Sequence, residues 1–101
     1  MFVSGQIPLD PKTGDLVSDS IQEQAKQVLK NVQSICEAAG YSLDDIVKIS
    51  IFLTDLSNFG IVNDVMKEYF SEPYPARATV EVSALPLGVN VEIEAIVLIN
   101  D

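Results

Sequence analysis

The chain has no histidine, no tryptophan, one cysteine and, within its six Lys+Arg, one arginine. Without histidine, imidazole-based triads and most zinc sites are excluded, and a single cysteine excludes thiolate clusters and an intramolecular disulfide. No Gly-rich phosphate loop is present. Cations are scarce: fifteen Asp+Glu outweigh six Lys+Arg and leave a formal net charge of −9. That balance repels phosphate backbones, and neither a basic patch nor an RNA-recognition motif offsets it, so the sequence argues against nucleic-acid binding. No apolar run approaches the ~20 residues that span a bilayer, and no basic segment with a following apolar core opens the chain, so neither membrane insertion nor secretion is suggested. A lone thiol fits a reducing compartment, and the cytoplasm is the expected location. Cys36 itself reads as a small buried hydrophobe in a helical pattern.

The positive signal is periodic hydrophobicity, with 48% of the 101 residues apolar, which predicts one ordered domain over 1–101. Residues 1–9 read as a short strand and "DPKTGD" at 10–15 as a turn. From Ser20, the positions Ile21, Ala25, Val28, Leu29, Val32, Ile35, Cys36 and Ala39 mark one helix face, with Ser20 and Glu23 as a capping box and Gly40 as the stop. "DIVKISIFL" at 45–53 reads as a strand with Val47, Ile49, Ile51 and Leu53 on one face and Lys48, Ser50 and Phe52 on the other. A second helix from Ser57, its expected N-cap, to Phe70 carries Phe59, Val62, Val65, Met66, Tyr69 and Phe70 on its apolar face. Strands at 78–84 and 89–99 alternate apolar and polar residues and are expected to pair across "LPLG". The order strand, helix, strand, helix, strand, strand predicts an α+β domain with two helices on one face of a sheet. The opposite sheet face, assigned Ser50, Phe52, Thr79, Glu81, Ser83, Glu92, Ile96 and Leu98, is too apolar for solvent and too polar for a monomer core, which points to a subunit interface.

The chemistry-bearing residues that remain are few. Arg77 opens one strand and Glu92 lies partway along the next, and a guanidinium presents a planar fork that matches a carboxylate bidentately. By spacing alone, a structural ion pair between Arg77 and one of the many carboxylates is the favoured reading over a functional one, and Glu92 reads as a solvated or interface charge. Asn63, on the shoulder of the second helix's apolar face, is either a surface amide or one that reaches a sheet edge or a neighbouring subunit.

Four segments, "FVSGQIPLDPKTG" at 2–14, "DIVKISIFLTDLSNFGIVNDV" at 45–65, "YPARATVEVSALP" at 74–86 and "VEIEAIVL" at 91–98, together resemble the reactive intermediate deaminase family, RidA/YjgF, also labelled endoribonuclease L-PSP. The resemblance implies a chorismate-mutase-like fold and homotrimers with active sites between subunits. It also implies hydrolysis of 2-imino acids such as 2-iminobutanoate and 2-iminopropanoate, and of their enamine tautomers, to 2-oxo acids and ammonia. No metal or cofactor is implied. Arg77 then matches the arginine that holds the substrate carboxylate, and Glu92 the glutamate that positions or activates water. Ser4, Gly5, Asn63 and Thr79 match pocket-lining positions, Thr79 standing where several members have cysteine. The family pattern also implies a segment ahead of "SGQIP" with a tyrosine-bearing loop over the site, whereas here Met1 directly precedes Phe2. Two other functions stay open: a non-catalytic trimeric protein that binds small carboxylates or regulates, and the endoribonuclease of the family label, which the charge opposes.

Overall fold

Spacing and end signals explain the helices. The structure, a computed structural model, describes residues 1–17 and 20–99. Helix α1 (Ile21–Ala38) starts at Ser20, whose Oγ accepts the Glu23 N–H at 3.2 Å, and buries Ala25, Val28, Leu29, Val32 and Cys36. It stops at Gly40, where φ is +86°: Tyr41 N–H bonds Cys36 C=O and Gly40 N–H bonds Glu37 C=O, a Schellman closure that suits glycine. Burial, and the nearby Asp45 and Glu37 charges, push the Cys36 thiol pKa up, so it behaves as the small hydrophobe its spacing suggests. Helix α2 (Phe59–Tyr69) buries Val62, Val65 and Met66. Ser57 is not its cap. Instead Asp55 caps a one-turn 3-10 helix at Leu56–Asn58, accepting from Ser57 N–H at 3.0 Å, and that turn runs into α2.

Strands β1 (Phe2–Gln6), β2 (Ile46–Leu53), β3 (Ala76–Glu81) and β4 (Val91–Val97) form a sheet in the order β1-β4-β2-β3. Both helices cover one face, and the core joins their apolar sides to Ile49, Ile51 and Leu53 of β2 and Val91, Ile93 and Ala95 of β4. The architecture is the expected α+β layer, but the last two strands do not pair with each other. Strand β2 lies between them, antiparallel to β4 and parallel to β3. The cause is α2: a parallel partner needs a crossover connection, and the β2-α2-β3 segment supplies one, which claims the edge beside β2 for β3. Residues 82–90 then carry the chain past the end of β2, where Val82 N–H bonds Leu53 C=O and Thr54 N–H bonds Asn90 C=O.

Register corrects two assignments of faces. Arg77, Thr79 and Glu81 stand opposite Ile49, Ile51 and Leu53, so they lie on the helix-covered side of β3, and Ala78 and Val80 take the open side. Thr79 and Glu81 therefore leave the open face, which carries Lys48, Ser50 and Phe52 of β2 opposite Ile96, Glu94 and Glu92 of β4, with Phe2 opposite Ile96. In β2, Ile46 pairs with Val97 and Lys48 with Ile96, so Val47 is the extra residue of a bulge. Val47 is consequently 44% exposed, whereas Ile49 is fully buried.

This contrast is testable by urea unfolding. Ile49→Ala should cost about 2–5 kcal/mol through lost burial and a residual cavity, while Val47→Ala should stay within about 0.5 kcal/mol. Comparable losses at both positions would contradict the bulge.

Candidate functional site

The six residues singled out in the sequence resolve into two groups at different places on the sheet. The first surrounds Arg77 on edge strand β3. Phe59 and Asn63 are four apart on α2 and so share one face, which turns toward β3. The Arg77 guanidinium lies over the Phe59 ring with Cζ 5.0 Å from its centroid, and its Nη1 donates to Asn63 Oδ1 in a short hydrogen bond. Asn63 thus reaches the sheet edge. Thr79 follows two residues along the same side of β3, and its buried Oγ1 is the one fully buried side-chain polar atom among the described residues that has no hydrogen-bond partner. Leu56, Phe59, Arg77 and Thr79 line a recess of about 450 Å³.

Arg77 carries no carboxylate. Among the described residues the one ion pair is Lys26–Glu23 at 3.9 Å, although the chain holds fifteen Asp+Glu. The structural ion pair that spacing allowed is therefore absent there. A neutral amide and an aromatic face hold the guanidinium in place while leaving its charge unneutralised and several of its five N–H donors free. Phe59 read from the sequence as a core residue only; its second role was visible in the i, i+4 spacing to Asn63, once Asn63 was taken to face the sheet.

The second group lies on β1 and β4. Between Val3, paired with Ala95, and Gln6, paired with Ile93, β1 bulges at Ser4 and Gly5. The half-buried Glu92 side chain lies against that bulge: a Cβ built on Gly5 would come within 2.8 Å of Glu92 Cδ. Glycine is thus the residue that fits here without displacing the Glu92 side chain. Ser4 is exposed beside it, its carbonyl accepting Gln6 Nε2 at 3.1 Å. The Glu92 carboxylate has no hydrogen-bond or ion-pair partner among the described residues.

Within one chain the two groups do not converge. Strands β4 and β3 are two sheet positions apart, roughly 10 Å from strand spacing. Arg77 is level with Ile49 and Glu92 with Phe52, three residues on, so they project from opposite faces. One half offers a cation for an anionic ligand and an orphan hydroxyl; the other offers a carboxylate able to accept a proton. Among the described residues no group of three or more Cys, Asp or Glu comes together as a metal site, and no helix is long and apolar enough to cross a membrane.

A small α+β layer protein with a carboxylate-ready guanidinium at its sheet edge is the class that this geometry defines. A model of the Endoribonuclease L-PSP family matches residues 1–99. A RutC family protein of Pyrococcus horikoshii is 53% identical over 95% of this chain and 76% of its own length. The human protein named 2-iminobutanoate/2-iminopropanoate deaminase is 45% identical over 97% of this chain and 72% of its own. The crystal structure of Escherichia coli TdcF with bound serine superimposes with a TM-score of 0.92 at 46% identity, covering 98% of this chain and 80% of that one. The chain belongs to the Endoribonuclease L-PSP family, the RidA/YjgF proteins.

Gly5→Ala should rotate the Glu92 side chain off the β1 bulge, because the added methyl meets the movable end of that side chain, and should cost under about 1 kcal/mol of stability. The carboxyl carbon-13 shift of Glu92 reports the rotation; an unchanged shift would show that Gly5 does not set the position of the carboxylate.

Proposed function

We propose that the protein hydrolyses small 2-imino acids, 2-iminobutanoate and 2-iminopropanoate among them, to 2-oxo acids and ammonia, at sites formed between copies of the chain in a homotrimer. The observation that carries this reading is the division of the site residues. Arg77, Asn63 and Thr79 form one half, and Glu92, Gly5 and Ser4 the other, on opposite faces and different strands. Each half is unsatisfied: an uncompensated cation, an unpartnered hydroxyl and an unpartnered carboxylate. Two copies can satisfy both. The open sheet face suits such an association, with Phe2 83% and Val80 46% exposed alongside Phe52 and Ile96. The deaminase name of the human relative and the serine bound to TdcF fit a small carboxylate-bearing ligand.

The reaction asks little of the protein. Arg77 holds the α-carboxylate through charge-assisted bonds worth on the order of 1.5–3 kcal/mol, and the imine carbon is already electrophilic. Glu92 of a neighbouring copy accepts a proton from water as its oxygen bonds to that carbon. The proton passes to nitrogen and gives a carbinolamine; the hydroxyl proton then moves through the same carboxylate to the amino group, the C–N bond breaks as the C=O bond forms, and ammonia leaves the 2-oxo acid. An enamine first takes a proton on its β-carbon and gives one up from nitrogen, which makes it the imine. Positioning supplies most of the gain, with about 100- to 10,000-fold from the proton transfer. The acidic surface argues against the RNA cleavage of the family label, and the buried thiol of Cys36 suits a cytoplasmic location.

Mixing variants tests both the chemistry and the sharing. Arg77→Ala and Glu92→Gln should each abolish the accelerated decay of 2-iminopropanoate generated in solution. Co-assembled in equal amounts, the two should regain about a quarter of the wild-type sites, since a neighbouring pair can combine an intact Arg77 with an intact Glu92. Wild-type protein that fails to accelerate decay, variants that stay active alone, or a mixture that stays inactive would each refute the corresponding part. Binding of 2-oxobutyrate by wild-type protein that leaves imine decay unaccelerated would favour a carboxylate-binding regulator instead.

A further inference from the structure

Arg77 lines a second recess that the chemistry above does not use. It measures about 440 Å³ and is bounded by Asn63, Met66, Lys67, Phe70, Tyr74, Pro75 and Arg77. No aspartate or glutamate lines it, although the chain has fifteen Asp+Glu, and it gathers two of the six Lys+Arg. In a molecule of net charge −9, this is a local inversion of sign, and a recess with low-dielectric walls concentrates the field of its cations. Lys67 lies four residues beyond Asn63 on α2, so the helix puts it on the same side as the residue that bonds Arg77. Like Arg77, Lys67 has no carboxylate partner among the described residues. Met66 and Phe70, both buried, supply apolar lining beside the two cations, together with Tyr74 and Pro75.

We propose that this recess makes the site selective for 2-imino and 2-oxo acids with a second carboxylate on the side chain. Arg77 holds the α-carboxylate, Lys67 attracts the distal one, and the intervening methylene groups contact Met66 and Phe70. The inference rests on the reading of Arg77 as a carboxylate anchor and adds to it the class of side chain accepted. Lys67 also stands in the last turn of α2, where a cation complements the helix dipole. That role affects stability but leaves the choice between ligands unchanged, so the decisive readout is a ratio of affinities.

Calorimetry at low ionic strength with 2-oxobutyrate and 2-oxoglutarate measures this ratio in wild-type protein, Lys67→Ala and Lys67→Glu. Wild type should bind 2-oxoglutarate roughly two- to fivefold more tightly, the range for an exposed ion pair. Lys67→Ala should bring the ratio to about one, and Lys67→Glu should reverse it. Lys67 is exposed, so both variants retain the fold. Equal binding by wild type, or a preference that survives both substitutions, overturns the selectivity while leaving the anchor intact. Binding of neither acid, or affinities for both that are unaltered by Arg77→Ala, refutes the anchor itself and the selectivity with it.

Discussion

A side chain in a β-sheet belongs to one face, and the assignment follows from register alone. In this sheet β2 acts as the ruler for both neighbours: Arg77 of β3 is level with Ile49, and Glu92 of β4 with Phe52. The offset of three is odd, so the two project to opposite faces, and no rotamer brings them together through a packed sheet. The geometry of the site, the need for a second copy on the proposed reading and the value of the open sheet face all derive from this parity. A slip of one residue in the β2-β3 pairing would place Arg77 on the same face as Glu92. It would also turn Ala78 and Val80 toward the helices, where Arg77 and Thr79 now meet α2.

The electrostatic character of the site comes from what Arg77 is bonded to. An acidic chain has many ways to neutralise its one arginine, and a close carboxylate would compete directly with an anionic ligand for the same N–H donors. Asn63 fixes the guanidinium through a neutral carbonyl oxygen and Phe59 through the negative face of its ring, so orientation is secured without cancelling charge. The acidic residue nearest along this side of the strand is Glu81, whose Oε1 accepts the Leu56 N–H at 2.9 Å. It ties the turn before α2 to β3 and so supports the segment that presents Phe59.

Helices, core and family were legible in the sequence because they depend on local period and on contiguous motifs. The apolar stripe from Ile21 to Cys36, the stop at Gly40 and the core of β2 at Ile49, Ile51 and Leu53 follow from spacing alone. Strand neighbours did not. Adjacent strands joined by "LPLG" suggest a hairpin, and only the crossover through α2 shows that β3 takes the edge of β2. Once that neighbour was misplaced, the faces of Thr79 and Glu81 were misplaced too, since alternation says which residues share a face but not which face is covered. Val47 was misread for a related reason: a bulge is a property of two strands in register, and neither carries it alone. At the site, residue identities were readable from the motif, whereas their division into two halves required the strand order.

The open sheet face has two roles on the proposed reading, and they constrain each other. Phe2, Phe52, Val80 and Ile96 provide apolar area for association, while Glu92 and Glu94 stand among them as charges that would be costly to bury without partners. An interface that covered the whole face would desolvate Glu92 and raise the energy of its ionised form. One that left the β1/β4 side open to a neighbour's Arg77 would keep the carboxylate hydrated or paired. The bulge at Ser4 and Gly5 favours the second arrangement, because it interrupts β1 pairing beside Glu92 and bends that edge away from a flat sheet. On the proposed reading, association and catalysis thus fall to different parts of one surface, with the apolar residues holding the copies together and the bulge keeping the carboxylate accessible.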